Sequence, residues 1–175
     1  IDHAGDFGGV WYWNRYPGIQ CDNDALCYLP LLEETGAMPS RKFTDGRENQ
    51  QHARRIAEQH GLYENALFHT LIEGLVWDET IHRWRITTDR GDNIRARHVI
   101  MCGGPLNKPK LPGIEGIREF NGKLFHTARW DYDYTGGGWG DPQLAGLSDK
   151  RVAILGTGAT GDQAIPHLAR HAKHL

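Results

Sequence analysis

Apolar and polar residues alternate most regularly in the middle of the chain. Residues 71–77, 82–88 and 94–101 are rich in β-branched and aromatic side chains. Asp78-Glu79-Thr80 and Asp89-Arg90-Gly91-Asp92 separate them as turn formers. This pattern predicts a three-strand antiparallel meander whose third strand runs into Cys102-Gly103-Gly104. Before it, residues 46–60 carry Ala53, Ile56 and Ala57 at helical spacing, with Gly61 as a stop. Residues 5–22 combine glycines with Trp11, Tyr12, Trp13 and Tyr16, which predicts a loop with buried rings.

The remainder has little periodicity. Residues 105–150 are rich in proline and glycine and read as a long ordered linker. Three consecutive glycines beside Tyr132, Tyr134 and Trp139 argue against a helix over 131–140. Residues 152–155 form a short apolar run that predicts a strand, and the chain from Gly156 onward predicts a helix bent at Pro166. That helix has no stop signal before Leu175, no initiator Met is present, and Ile1-Asp2 looks like the end of a strand. A piece of a longer protein is expected.

Composition narrows the partners. With a net charge of −2 and no basic block, nucleic acid is not an expected partner. No apolar run approaches the roughly 20 residues of a membrane span. Cysteines 21, 27 and 102 are odd in number and lack C-x-x-C spacing. Neither a disulfide framework nor a zinc site is favoured, and reduced thiols point to a cytoplasmic setting. His167, His171 and His174 fall on one helical face, but no carboxylate or cysteine joins them, so no metal site is expected.

Three blocks can carry chemistry. Arg151 to Leu155 leads into Gly156-Thr157-Gly158-Ala159-Thr160-Gly161, a G-x-G-x-x-G turn between a predicted strand and helix. Gly156 suits a tight turn, Gly158 leaves room for a pyrophosphate, and Gly161 permits close helix packing. The same turn can also be a ligand-free strand–helix connection. Gly9-Val10-Trp11, Tyr16-Pro17-Gly18 and Asp22 form a second spaced block; its aromatics taken alone would read as a plain core. Phe120, Gly122, His126 and Trp130-Asp131 form the third, F-x-G-x-x-x-H-x-x-x-W-D, in which a lone histidine is most often structural.

In their order along the chain, with the glycine-rich turn last, the blocks resemble the fingerprints of Baeyer–Villiger monooxygenases, and the resemblance covers essentially the whole chain. It implies an α/β fold, part of a Rossmann-like flavoprotein with two dinucleotide-binding domains, an antiparallel β-meander and a long linker. Residues 1–104 would be a partial FAD-binding domain, 105–150 the interdomain linker, and 151–175 the start of the NADP-binding domain. FAD and NADPH are the implied cofactors. A ketone and O₂ are the implied substrates, giving an ester or lactone.

The resemblance also assigns residues. Asp2 matches an acid that binds the FAD ribose, and Val10, Trp11, Tyr12 and Trp13 match the stretch against the flavin ring. Tyr28 matches a further flavin contact, and Gln20 and Cys21 match positions near the nicotinamide. Ile72 matches a position whose backbone contacts adenine. Asp22 matches the acid facing both cofactors and holding the catalytic arginine, which the resemblance places downstream of Leu175. His126 matches a linker residue tied to cofactor-dependent domain movement, and residues 156–161 match the nicotinamide-cofactor turn. Cys102-Gly103-Gly104 departs from the Ala-Thr-Gly usual there. Two other readings remain: a flavin N-hydroxylating monooxygenase acting on an amine, against which Trp130-Asp131 argues, and a non-catalytic NADP(H)-binding sensor.

Overall fold

The computed structural model describes residues 1–175. Helices α1 (Val10–Trp13), α2 (Ala25–Tyr28) and α3 (Leu32–Thr35) are single turns. Helix α4 (Gly46–Gln59) then leads to strands β1 (Ile72–Asp78), β2 (Arg83–Thr88) and β3 (Asn93–Ala96). Another single turn, α5 (Tyr132–Thr135), precedes the long α6 (Ala159–His171).

The sheet is an antiparallel β1-β2-β3 meander, as the alternation predicts. Trp77 lies opposite Trp84 with ring centroids 5.5 Å apart, a cross-strand pair that fixes the first hairpin's register. At the turn, Asp78 accepts from the Thr80 amide at 2.9 Å and pairs with Arg85. These bonds hold the Asp78 carboxyl down at about 2, with the Thr80 hydroxyl contributing most. The third strand is shorter than predicted. It ends at Ala96, and Ile100 and Met101 beyond it are 86% and 70% exposed. Without a neighbouring strand to accept their backbone groups, residues 97–101 leave the ladder.

Helix α4 starts where Asp45 accepts from the Glu48 amide at 2.8 Å, and the chain turns left-handed at Gly61, φ 61°. Its buried side extends beyond Ala57 to Asn49, Gln50 and His52. These polar side chains are buried because they meet loop carbonyls: Gln50 Nε2 donates to Phe7 O at 3.2 Å, and His52 Nε2 lies 2.7 Å from Pro30 O. Asn49 accepts from the Thr44 hydroxyl at 2.6 Å. The helix thus anchors the preceding loops by hydrogen bonds as much as by apolar contact.

Several local expectations are corrected. Residues 132–135 are helical despite the following glycines, because Asp131 caps the turn from below and Gly136 ends it at φ 75°. Residues 152–155 are extended but join no sheet. A strand needs a partner, and the pairing here is limited to Val152 N donating to His174 O at 2.8 Å beside the Arg151–His174 bridge. Ile1-Asp2 likewise belongs to no strand. Helix α6 runs through Pro166 but stops at His171, where Ala172 turns extended so that residue 174 can reach back to 151 and 152.

Two small apolar clusters bind the ends of the chain together. Tyr16, Ile19 and Ala164 form one; Leu144, Leu147 and Leu168 form the other. Trp130 and Ile154 pack against both. Trp130 Nε1 donates to the Thr135 hydroxyl at 3.0 Å, which satisfies its polar edge while the ring is half-buried. Trp130→Ala in the full-length protein is expected to cost about 3 kcal/mol, read as a lower urea midpoint at unchanged slope. A midpoint equal to the parent's would show that something other than this ring joins the clusters.

Candidate functional site

The glycine block at residues 8 and 9 turns the chain into α1, with Gly8 at φ 133° and Gly9 at φ 53°. The four-residue helix turns Trp11, Tyr12 and Trp13 in different directions. Trp11 Nε1 donates to the Tyr28 hydroxyl at 3.0 Å, with the rings edge to face, so two positions assigned to the flavin meet directly. Tyr12 and Trp13 are also edge to face, with centroids 5.0 Å apart. The Arg15 guanidinium lies 4.9 Å from the Tyr12 ring centre and 4.6 Å from that of Trp139. Arg129 lies 4.5 Å from the Trp13 ring centre. All three are cation–π contacts, and both arginines are residues that motif reading missed.

Past α1 the loop returns along the start of α4. Cys21 N donates to Thr44 O at 2.8 Å, and Gly46 N donates to Ile19 O at 3.0 Å. These bonds bury Cys21 to 2% exposure and leave the next residue, Asp22, exposed and in no ion pair. Asp2 is exposed too; its carboxylate accepts from Ala4 N at 2.8 Å. Ile72 is half-buried at the bulged start of β1, opposite Thr88.

At the other end, Gly156 adopts φ 118°, a conformation that side chains resist. Gly161 approaches the turn so closely that a Cβ there would lie 2.6 Å from Gly156 O. At Gly158 a Cβ would meet nothing within 4 Å. The backbone N–H groups of Thr157, Gly158, Ala159, Thr160 and Gly161 donate to no acceptor in the chain, and no side chain caps α6. A bare row of donors, exposed from Thr157 to Ala159 at the start of a thirteen-residue helix, has the chemistry of an anion cradle.

The two ends meet. Gln163 Oε1 accepts from the Tyr16 hydroxyl at 2.7 Å and from Gln20 N at 3.3 Å, and Gln163 Nε2 donates to Gln20 O at 3.0 Å. Burial pushes the Tyr16 phenol up, the Thr160 hydroxyl opposes that shift, and the Asp22 carboxylate adds to it. Gln163 was not legible as a site residue, since its partners lie 143 and 147 positions away. The usable signal was Gly18, whose small size points to a close neighbour.

The third block serves as a clamp. His126 Nδ1 accepts from Ala128 N at 3.0 Å, capping the turn over Thr127–Arg129, which puts the proton of a neutral ring on Nε2. Asp131 pairs with Lys123 at 2.6 Å, and its carboxyl is held down by Lys123 first and the Tyr134 amide second. Arg129 donates to Asn107 O at 2.7 Å. Tyr132 donates to Arg15 O at 2.7 Å, and burial pushes its phenol up to about 12, with Asp141 adding. His167, His171 and His174 form no group with other metal-ligating side chains.

A cavity of about 330 Å³ opens between the Tyr16–Gln20 loop, the start of α4 and residues 138–142. No helix is long and apolar enough to cross a membrane.

No family model matches the chain. Curated proteins do match along its whole length. Baeyer–Villiger monooxygenase 4 of Dietzia sp. (strain D5) is 54% identical over 100% of this chain and 28% of its own length. A Baeyer–Villiger monooxygenase of Streptomyces coelicolor is 55% identical over 100% of this chain and 29% of its own length. Pentalenolactone D synthase of Streptomyces arenae is 52% identical, with 30% of its length covered. Among solved structures, the polycyclic ketone monooxygenase of Thermothelomyces thermophila superposes with a TM-score of 0.91 at 44% identity, over 98% of this chain and 28% of that one. OTEMO in complex with FAD and NADP gives 0.85 at 33% identity, over 98% of this chain and 32% of that one. Along its whole length the chain is thus similar to Baeyer–Villiger monooxygenases. It spans 28–30% of the length of these curated relatives.

Gly18 and Gly9 give a matched test of the loop contact. Both have positive φ, 82° and 53°, but a Cβ at Gly18 would lie 2.4 Å from Gln163 O while one at Gly9 meets nothing within 4 Å. Gly9→Ala should cost about 1 kcal/mol of backbone strain, and Gly18→Ala about 2 kcal/mol more, both from urea titrations. Equal costs would mean that the loop does not need its close approach to α6.

Proposed function

We propose that the chain is part of an FAD-dependent, NADPH-driven Baeyer–Villiger monooxygenase that oxidises a ketone to an ester or lactone with O₂. The observation that carries this reading is 54–55% identity, along the whole chain, to two proteins named Baeyer–Villiger monooxygenases, supported by the likeness to OTEMO in complex with FAD and NADP. Within it, residues 1–104 belong to the flavin domain, 105–150 link the domains, and 151–175 begin the nicotinamide-cofactor domain of a two-dinucleotide-domain, Rossmann-like protein. A cytoplasmic setting suits the three free thiols.

The residues present fit the two cofactors. The donor row over 157–161 and the open space at Gly158 suit a pyrophosphate. The half-buried rings of Trp11, Tyr12 and Trp13, with Val10, suit the edge of a flavin, and Tyr28 extends that surface. Asp2 has one carboxylate oxygen on Ala4 N and the second left for a ribose hydroxyl. Ile72 offers backbone beside the bulge for adenine. When bound, the flavin supplies the redox chemistry with O₂ and the nicotinamide supplies hydride.

The chain's own part is to bind, orient and hold charge. Gln20 and Cys21 set the backbone beside Asp22. The exposed Asp22 carboxylate is available to a guanidinium from elsewhere in the protein, which it would orient through a charge-assisted bidentate pair. His126, capping its turn in the linker, acts on the relative placement of the domains rather than on proton transfer.

The full-length protein is expected to copurify with FAD and to oxidise NADPH in a ketone-dependent way. A folded, colourless protein that cannot be reconstituted with FAD refutes the assignment. Gly158→Val sharpens the test. Since no chain atom would meet the new Cβ, stability and FAD content should hold while NADPH affinity falls at least about tenfold, a loss of about 1.4 kcal/mol. Unchanged affinity in a titration would make the turn structural.

Asp22→Ala is expected to slow flavin reduction and oxygenation about a hundredfold while ketone binding changes little, because orientation is lost rather than the pocket. Turnover within about twofold of the parent would remove Asp22 from the mechanism.

A further inference from the structure

Gln163 lies just inside α6, two residues past the last glycine of the nucleotide turn. Its carboxamide is engaged on both sides: the oxygen takes the Tyr16 hydroxyl and the Gln20 amide, and the nitrogen gives to the Gln20 carbonyl. A flipped amide would place its NH₂ against the Gln20 N–H and its oxygen against the Gln20 carbonyl, so the Gln20 backbone fixes this orientation. Below it, Gly18 brings the loop against Gln163 O and the His167 ring. Burial, then Arg170 and His171, push the His167 pKa down, consistent with an uncharged ring in that contact. The gripped residue, Gln20, is followed by buried Cys21 and exposed Asp22.

We propose that Gln163 is a positioning residue that locks the Tyr16–Asp22 loop to the helix behind the nucleotide turn, so that a dinucleotide held at residues 156–161 and the Asp22 carboxylate keep one fixed relation. The catalytic consequence rests on the functional reading above. The tether itself rests on the hydrogen bonds and the Gly18 contact alone. Losing it frees the loop to move without removing any group that touches a cofactor phosphate. The cost therefore falls on the rate at saturating NADPH more than on NADPH binding.

Two readouts test it in the full-length protein. The first is alkylation of Cys21 by iodoacetamide, followed site by site by mass spectrometry, with exposed Cys27 and Cys102 as internal references. In Gln163→Leu, Cys21 should react at least about tenfold faster through local opening, while the two references change less than about twofold. The second is stopped-flow flavin reduction. It should slow about tenfold at saturating NADPH, with the half-saturating concentration shifted less than about threefold. Gln163→Glu keeps the acceptor and loses the donor, so it should fall between parent and Leu variant on both readouts; it carries the test if the Leu variant does not fold. Cys21 reacting at the parent's rate overturns the proposal whatever the turnover. Faster labelling with unchanged reduction overturns the positioning role and leaves a structural clamp. A parent that takes up no flavin refutes the functional reading, and the labelling then decides the tether by itself.

Discussion

The main chain of Gly18 lies against the main chain of α6 with no room for a methyl group, and the arrangement around the candidate site depends on that approach. It brings Tyr16 and Gln20 within reach of Gln163 and lets Tyr16 and Ile19 pack on Ala164. A side chain at Gly18 would separate the aromatic loop from the helix that begins at the glycine-rich turn. The two blocks would then remain two motifs rather than one site. The loop's other edge is pinned to the start of α4 by Thr44 and Gly46, so it is held from both sides and Asp22 is presented at its end.

The linker block works on the same principle. Arg129 covers Trp13 and bonds to Asn107 O, Tyr132 bonds to Arg15 O, and Trp130 packs on both apolar clusters. The fingerprint residues His126, Trp130 and Asp131 each have a structural partner here, through a turn cap, a hydroxyl and a lysine. These structural bonds are compatible with the proposed role of the block in domain placement. They also explain why a histidine in this block need not transfer protons.

Much of this was legible in the sequence where the signal is local. Helix α4 could be placed because Ala53, Ile56 and Ala57 recur at helical spacing and Gly61 ends it, and the meander because its strands alternate and its turns carry Asp and Gly. The glycine-rich turn was legible because each glycine has a separate mechanical reason. What was missed depends on distant partners. Helices α1 and α5 are single turns held by flanking glycines, caps and ring contacts, which periodicity over four residues cannot reveal. Residues 152–155 have strand composition, yet composition does not supply a pairing neighbour. The polar buried side of α4 follows from loop carbonyls that only the tertiary structure brings near Gln50 and His52. Arg15, Arg129 and Gln163 carry no motif at all; their role lies in what they reach across the chain.

The joining of the loop and α6 through the Gln163 carboxamide is tested most directly by a double-mutant cycle. Tyr16→Phe removes the hydroxyl, Gln163→Leu removes the amide, and the unfolding free energies of parent, single and double variants come from urea titration. A coupling of about 1 kcal/mol is expected, because Gln163→Leu leaves the buried phenol without its acceptor and Tyr16→Phe leaves the Gln163 oxygen without that donor. Additivity within about 0.3 kcal/mol would show that the two side chains are neighbours without being partners, and would contradict it.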